Sequence, residues 1–209
     1  MTNLRRAGFC VAVLALCVSP TQAQQRRGGL GLHALVANKS VQEELKLDDA
    51  QKQKVEELNK TTQETLQEKT KDLQGDDRRA KLPAIMKEVN EATAKALVGT
   101  LKAGQIKRLK QIHLQVQSVR AFGNEDTQKA LKLTEEQAKE VKAALEEAQT
   151  QIREETKDLT RQDREKRREI TQRINKEVMG KITAKLSAEQ KKAWKEMTGE
   201  PFEIKFERQ

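Results

Sequence analysis

Three observations predict an all-α fold built from two tandem antiparallel helical-hairpin units, each a long helix, a second long helix and a short one, in an elongated cradle-like bundle. The first is thin packing material: charged residues make up 35% of the 209-residue chain, apolar residues 35% and aromatics 2%, with a mean hydropathy of −0.84. A thick core of large side chains cannot be assembled from that composition, so long helices sharing narrow apolar seams are the economical solution. The second is periodicity. Val55, Leu58, Thr62, Leu66 and Leu73 recur at spacings of three, four or seven, as do Val141, Leu145, Ala148, Ile152 and Leu159, which keeps one helix face toward a partner. The third is repetition. Leu45-Lys46-Leu47-Asp48-Asp49-Ala50-Gln51 returns as Leu131-Lys132-Leu133-Thr134-Glu135-Glu136-Gln137, and Leu101-Lys102-Ala103-Gly104-Gln105 returns as Leu186-Ser187-Ala188-Glu189-Gln190. Thr70-Lys71-Asp72-Leu73 and Asp77-Arg78 recur in the same register, as Thr156-Lys157-Asp158-Leu159 and Asp163-Arg164, the mark of a duplicated folding unit.

Along the chain, Arg5-Arg6, the apolar run Ala7 to Val18, the break at Ser19-Pro20 and the small residues of Thr21-Gln22-Ala23 read as a secretory signal peptide over 1–23, cleaved at Ala23-Gln24. The run is too short to span a bilayer stably. Lipidation at Cys17 is the rival reading, against which Leu16 stands where a lipobox places a small residue. Cleavage removes both cysteines, leaving no disulfide and no thiolate. A periplasmic or secreted location without stable membrane insertion follows. Residues 24–39 are expected as a flexible basic leader, 40–122 as the first helical repeat, 123–200 as the second and 201–209 as an extended tail.

Within the first repeat a helix is expected over 48–74. After the turn at Gly75-Asp76-Asp77, a second is lined by Ile85, Val89, Ala92, Ala96 and Leu97, which either starts near Pro83 or bends there. A shorter third helix is seamed by Ile106, Leu109, Ile112, Val116 and Val119, and Gly123-Asn124 is its stop. The second repeat gives a helix over 134–160, another along Ile170, Ile174, Val178 and Ile182, and a short one with Trp194 and Met197, stopped by Gly199. The repeated phrase has a local mechanical meaning. Thr134 or Ser187 caps a helix while Gln137 or Gln190, three residues on, reaches back to the cap residue's N–H, and Asp48 with Gln51 does the same. Losing such a cap costs about 1 kcal/mol. Lysine cannot cap, so the junction at Lys102 is expected to be continuous or loosely bent.

Leu133-Thr134-Glu135-Glu136-Gln137 and Leu186-Ser187-Ala188-Glu189-Gln190 resemble the Leu-Thr-x-x-Gln signature of the Spy and CpxP family, secreted all-helical proteins of the Gram-negative envelope. That family carries two such phrases about fifty residues apart, the spacing found in both copies here; the first copy departs from the pattern with Asp48-Asp49-Ala50 and Lys102-Ala103-Gly104. The resemblance implies an antiparallel helical cradle, and ATP-independent chaperoning, envelope-stress control or metal tolerance. Because two family-like units lie in one chain, it also implies a single-chain pseudo-dimer, with an ordinary homodimer as the alternative.

Catalytic chemistry finds no foothold. There is no phosphate-cradling glycine loop, nucleophile elbow or pair of metal ligands, so neither an enzyme nor a cofactor is expected. His113 falls in a seam and reads as a half-buried core residue; His33 falls in the leader. Met86, Met179 and Met197 read as core filler. Charge is more informative. From Ala92 to Asn124 there is no Asp or Glu, while Lys95, Lys102, Lys107, Arg108, Lys110 and Arg120 lie in that window. Three readings are open: a solvated face, a steering surface for net-acidic, partly unfolded clients, or a polyanion site. Nucleic acid is disfavoured by export and by the lack of aromatic stacking platforms. The client reading assigns Lys102, Lys107, Arg108, Lys110 and Arg120 to a basic, partly apolar concave face. A structural or polyanion-binding envelope protein is the alternative. In the tail, Pro201-Phe202-Glu203-Ile204-Lys205-Phe206 alternates apolar and charged residues. It is expected to lie along the bundle hiding Phe202 and Phe206, or else to be captured by a partner through strand addition.

Overall fold

The computed structural model describes residues 31–160 and 162–205; the expected signal peptide, the first part of the leader and Phe206 lie outside them. The described residues are all-α. In chain order they form α1 (Leu32–Val36), α2 (Lys39–Glu44), α3 (Asp49–Thr70), α4 (Gly75–Val98), α5 (Ala103–Gln117), a 3-10 segment (Ser118–Gly123), α6 (Glu125–Ala130), α7 (Glu135–Thr156), α8 (Arg164–Ala184) and α9 (Ala188–Thr198). None of these helices is long and apolar enough to cross a membrane.

The long helices pair in antiparallel fashion. Lys69 reaches Glu88 at one end of α3 and α4, and Gln51 reaches the Thr100 carbonyl at the other. In the second pair, Glu155 meets Arg173 while Glu140 meets Lys185. Two apolar cores result. One gathers Leu35, Val36, Val41, Val55, Leu97, Leu109 and Ile112; the other gathers Val119, Phe122, Leu131, Val141, Ile174, Val178 and Ile182. In the second, Phe122 lies against Trp194 with ring centroids 4.3 Å apart, a tilted pair that adds about 1 kcal/mol beyond burial.

Several local expectations are corrected. Residues 31–39, read as flexible leader, are mostly helical, and Leu35 and Val36 are fully buried. They follow Gly28, Gly29 and Gly31 within a few residues, and a helix of five residues is too short to show a period. α4 does not start at Pro83 but at Gly75 (φ +51°), and runs through the proline. The helices expected over 48–74 and 134–160 end at Thr70 and Thr156. Near Lys102 the chain neither continues helically nor bends loosely. α4 ends at Val98, and α5 restarts with Lys102 extended at its cap position. The lysine side chain accepts nothing, as expected, but Gln105 Oε1 takes the Lys102 N–H at 2.8 Å, so half of the cap arrangement suffices.

α5 stops at Gln117, where Ser118 takes φ of 51°, and not at Gly123-Asn124, which instead ends the 3-10 segment and opens α6, the Asn124 side chain accepting from Asp126 N. Asn38 opens α2, accepting from Val41 N. Leu45-Lys46-Leu47 and Leu131-Lys132-Leu133 are helix stops as well as lead-ins. Lys46 and Lys132 take φ of 51° and 52°, and Leu47 N and Leu133 N bond back to the Gln42 and Gln128 carbonyls, each at 3.0 Å, the pattern of a Schellman turn.

Candidate functional site

The phrase glutamines meet in pairs. Gln51 Nε2 donates to Gln105 Oε1 at 2.9 Å, and Gln105 Nε2 returns the bond to Gln51 Oε1 at 3.1 Å. Gln137 and Gln190 exchange the same two bonds, both at 2.9 Å. Every remaining valence is used. Each Oε1 also accepts its own cap N–H, from Asp48, Lys102, Thr134 and Ser187. Each second amide hydrogen goes to a carbonyl of the facing loop: Thr100, Leu45, Lys185 and Lys132. A primary amide offers two donors and two acceptor lone pairs, and all four are met. Asp48, Thr134 and Ser187 complete the caps by accepting from Gln51, Gln137 and Gln190 N. Together with Gln105, the six cap residues therefore bind the start of α3 to that of α5 and the start of α7 to that of α9.

The basic window is divided. Lys102, Lys107, Lys110 and Arg120 are exposed and enter no ion pair among the described residues. Lys107 and Lys110 share the side of α5 opposite Leu109 and Ile112, Lys102 sits at the start of α5, and Arg120 lies beyond it in the 3-10 segment. Arg108 does not belong with them. Its side chain is only 19% exposed, its Nε lies 2.7 Å from Glu44 Oε1, its Nη1 donates to the Glu200 carbonyl at 2.9 Å, and its guanidinium stands 6.0 Å from the centroid of the Phe202 ring. Burial and pairing withdraw this cation from the surface, which corrects its assignment as a steering charge. The apolar part expected of this face is small: Val98, 67% exposed, is the sole exposed large hydrophobic among the described residues.

Arg108 instead belongs to a seat for the tail, which composition did not disclose. Gln115 Nε2 donates to the Thr198 and Glu200 carbonyls at 2.6 and 2.8 Å, and its Oε1 accepts from Phe202 N at 2.9 Å. Gln111 Nε2 donates to the Glu196 carbonyl. Further on, Asn38 Nδ2 donates to the Lys205 carbonyl, and Lys205 N donates to Ser40 Oγ. Phe202 and Ile204 pack, half-buried, against the first core. Gln111 and Gln115 are one helical turn apart on α5, a pair of polar residues on a partly covered face that sequence reasoning passed over.

Between α7 and α8 lies a shallow cleft of about 260 Å³ floored by Val141, Ala144, Ile182 and Leu186. It is rimmed by the pairs Glu140–Lys185 and Glu147–Lys181, at 3.0 and 3.2 Å. His33 is 3% exposed with Nδ1 unpartnered, and burial lowers its pKa. Burial lowers that of His113 too, whose Nε2 meets Gln117 Nε2 at 3.1 Å. Among the described residues no group of three or more His, Cys, Asp or Glu is arranged to hold a metal ion. Comparison of the chain with protein-family models, curated proteins and solved structures returns no match.

Proposed function

We propose that the chain is an exported, Spy/CpxP-like helical protein that holds partly folded polypeptides transiently, without ATP and without turnover, in the periplasm of a Gram-negative cell. The observation that carries this reading is the sparse covering of the outer halves of both long hairpins. Beyond Thr62 and before Val89 no apolar side chain is fully buried; Leu66, Leu73, Leu82 and Ile85 are half-buried, as are Ile152, Leu159 and Ile170 in the second pair. Such shallow apolar edges hold weakly over a long surface, and the exposed Lys102, Lys107, Lys110 and Arg120 speed encounter with net-acidic clients. The reading keeps signal cleavage at Ala23-Gln24 and treats the two recurring hairpins as a pseudo-dimer in one chain, closed into a cradle. The phrases that resemble the family support it, since all four glutamines serve one mutual function in both copies.

The four exposed cations also favour a second reading, a structural or polyanion-binding envelope protein without chaperone activity. Adding the protein, without nucleotide, to an aggregating acidic client separates the two. Suppression near equimolar ratio is expected, weakening as salt rises from about 50 to about 500 mM, because exposed charges are screened over shorter distances. Lack of suppression at any ratio removes the holding function. Charge reversal of Lys102, Lys107, Lys110 and Arg120 is expected to slow capture, and unchanged capture removes their steering role alone.

A further inference from the structure

We propose that the seat between α5 and α2 is a binding site for extended polypeptide segments with apolar side chains at alternate positions, and that residues 200–205 are its tethered occupant. This deepens the holding function and depends on it for biological use; the binding itself is argued from the seat.

The seat reads main chain. Gln115 holds the Glu200 carbonyl and the Phe202 N–H, Arg108 holds the Glu200 carbonyl, and Asn38 and Ser40 hold the carbonyl and N–H of Lys205. Hydrogen bonds to backbone groups give affinity for any segment of the right conformation, while alternate side chains set preference. Here the preference is visible in the occupant: Phe202 and Ile204 turn toward the first core, whereas Pro201, Glu203 and Lys205 are exposed. The Arg108 guanidinium, anchored by Glu44, stands by the ring at the first of these positions, which favours an aromatic there.

Two comparisons within the molecule set this seat apart from ordinary packing. Segment 118–122 leaves α5 for the second core much as the tail leaves α9 for the first, yet Val119 and Phe122 are 2% and 0% exposed where Phe202 and Ile204 are only half-buried. The linking segment is sealed; the tail is not. Moreover, the residues that clamp the tail do not recur. Arg108, Gln111 and Gln115 correspond, 85 residues on, to Ala193, Glu196 and Glu200, so α9 has no equivalent clamp.

The probe is a fluorescein-labelled synthetic peptide of residues 200–207. It is titrated against the intact mature chain, against the F202D/I204D chain whose tail no longer seats, and against a chain carrying a protease site between Gly199 and Glu200 that is cut after folding and freed of its tail. The last keeps the test open should the double variant misfold. Both tail-released proteins, with helical circular dichroism retained, are expected to bind the probe at least tenfold more tightly than the intact chain, where the tethered tail competes at an effective concentration of about a millimolar. Gln115→Ala in the tail-released chain, or Asp in place of Phe202 and Ile204 in the peptide, is expected to weaken binding at least tenfold. Equal affinity for intact and tail-released chains overturns the proposal. So does failure of an unrelated peptide with alternating apolar residues to compete, since the seat would then serve only its own tail. Aggregation suppression measured in parallel keeps the two readings apart: probe binding without suppression supports the seat and removes the holding function, and suppression without probe binding does the reverse.

Discussion

Each phrase glutamine satisfies a helix start with one atom and a facing loop with the other, so its contribution exceeds that of a cap. Gln137→Ala removes the acceptor of the Thr134 N–H and the donors to Lys185 and Gln190, and is expected to cost about 2 kcal/mol in urea unfolding. Gln190→Ala leaves the same mutual pair broken, so the double variant is expected to cost less than the sum by about 1 kcal/mol; strict additivity would show that the pair is not an energetic unit. The cap half of this arrangement was legible from Thr134 and Gln137 three residues apart. The mutual half was not, because it joins residues 53 apart through the pairing of long helices. His33 acts through protonation. Burial holds its pKa, and that of His113, below the ordinary 6.5, so at these two sites the folded chain binds fewer protons than the unfolded one as pH falls through about 6.5, and the stability they contribute is present above that value and lost below it. The shifted carboxylates Glu155, Asp163 and Glu189 are held below their ordinary range, and their contribution is lost only at lower pH. The melting temperature is therefore expected to fall between about pH 7.5 and about pH 5.5, and to fall less in His33→Leu; an equal fall in both would assign the dependence elsewhere.

Among elements, the long helices declared themselves and the short ones did not. Val141, Ala148 and Ile152 or Ile174, Val178 and Ile182 give enough turns for a period to emerge, whereas α1, α2 and α6 have five or six residues each. Their signal lay instead in recurrence: Asn38 and Gln42 return 86 residues on as Asn124 and Gln128. Both asparagines cap, and both glutamines donate to the carbonyl of the segment before, Val36 and Phe122. Element ends were set by tertiary demands, since a chain that must turn at Leu73 or Leu159 stops its helix a few residues earlier than the apolar period alone requires. Pro83 was legible as an irregularity with two outcomes, a helix start or a bend within a helix, and only the start is excluded. α4 runs through it, because the seam from Ile85 to Leu97 and the start at Gly75 outweigh one missing N–H. The cost remains in the helix, so Pro83→Ala, at an exposed position, is expected to raise stability by about 2 kcal/mol. Thermal denaturation followed by circular dichroism measures it, and no gain would show that α4 relaxes around the proline without loss.

For the whole molecule, the recurrence of short phrases was written in the sequence, yet the way the two helical pairs are tied together was not. Arg108 looked like one of five surface cations because its partners, Glu44 and Glu200, lie 64 and 92 residues away and only the path of the chain brings them near. That path crosses between the cores twice. After α5 the chain enters the second core with Val119 and Phe122, and after α9 it returns to the first with Phe202 and Ile204. α5 and α9 touch where Gln111 and Gln115 hold the end of α9. Neither core is complete on its own, so unfolding is expected to be cooperative across both. Trp194, the one tryptophan in the chain, reports the second core through its contact with Phe122. Leu35→Ala empties a fully buried site in the first core and is expected to cost about 3 kcal/mol. If the crossings couple the cores, the midpoint followed by Trp194 fluorescence falls together with that followed by circular dichroism, although no atom of the second core has been altered. If instead the tryptophan midpoint stays in place while helical signal is lost early, the halves unfold independently, and the crossings are connections rather than ties.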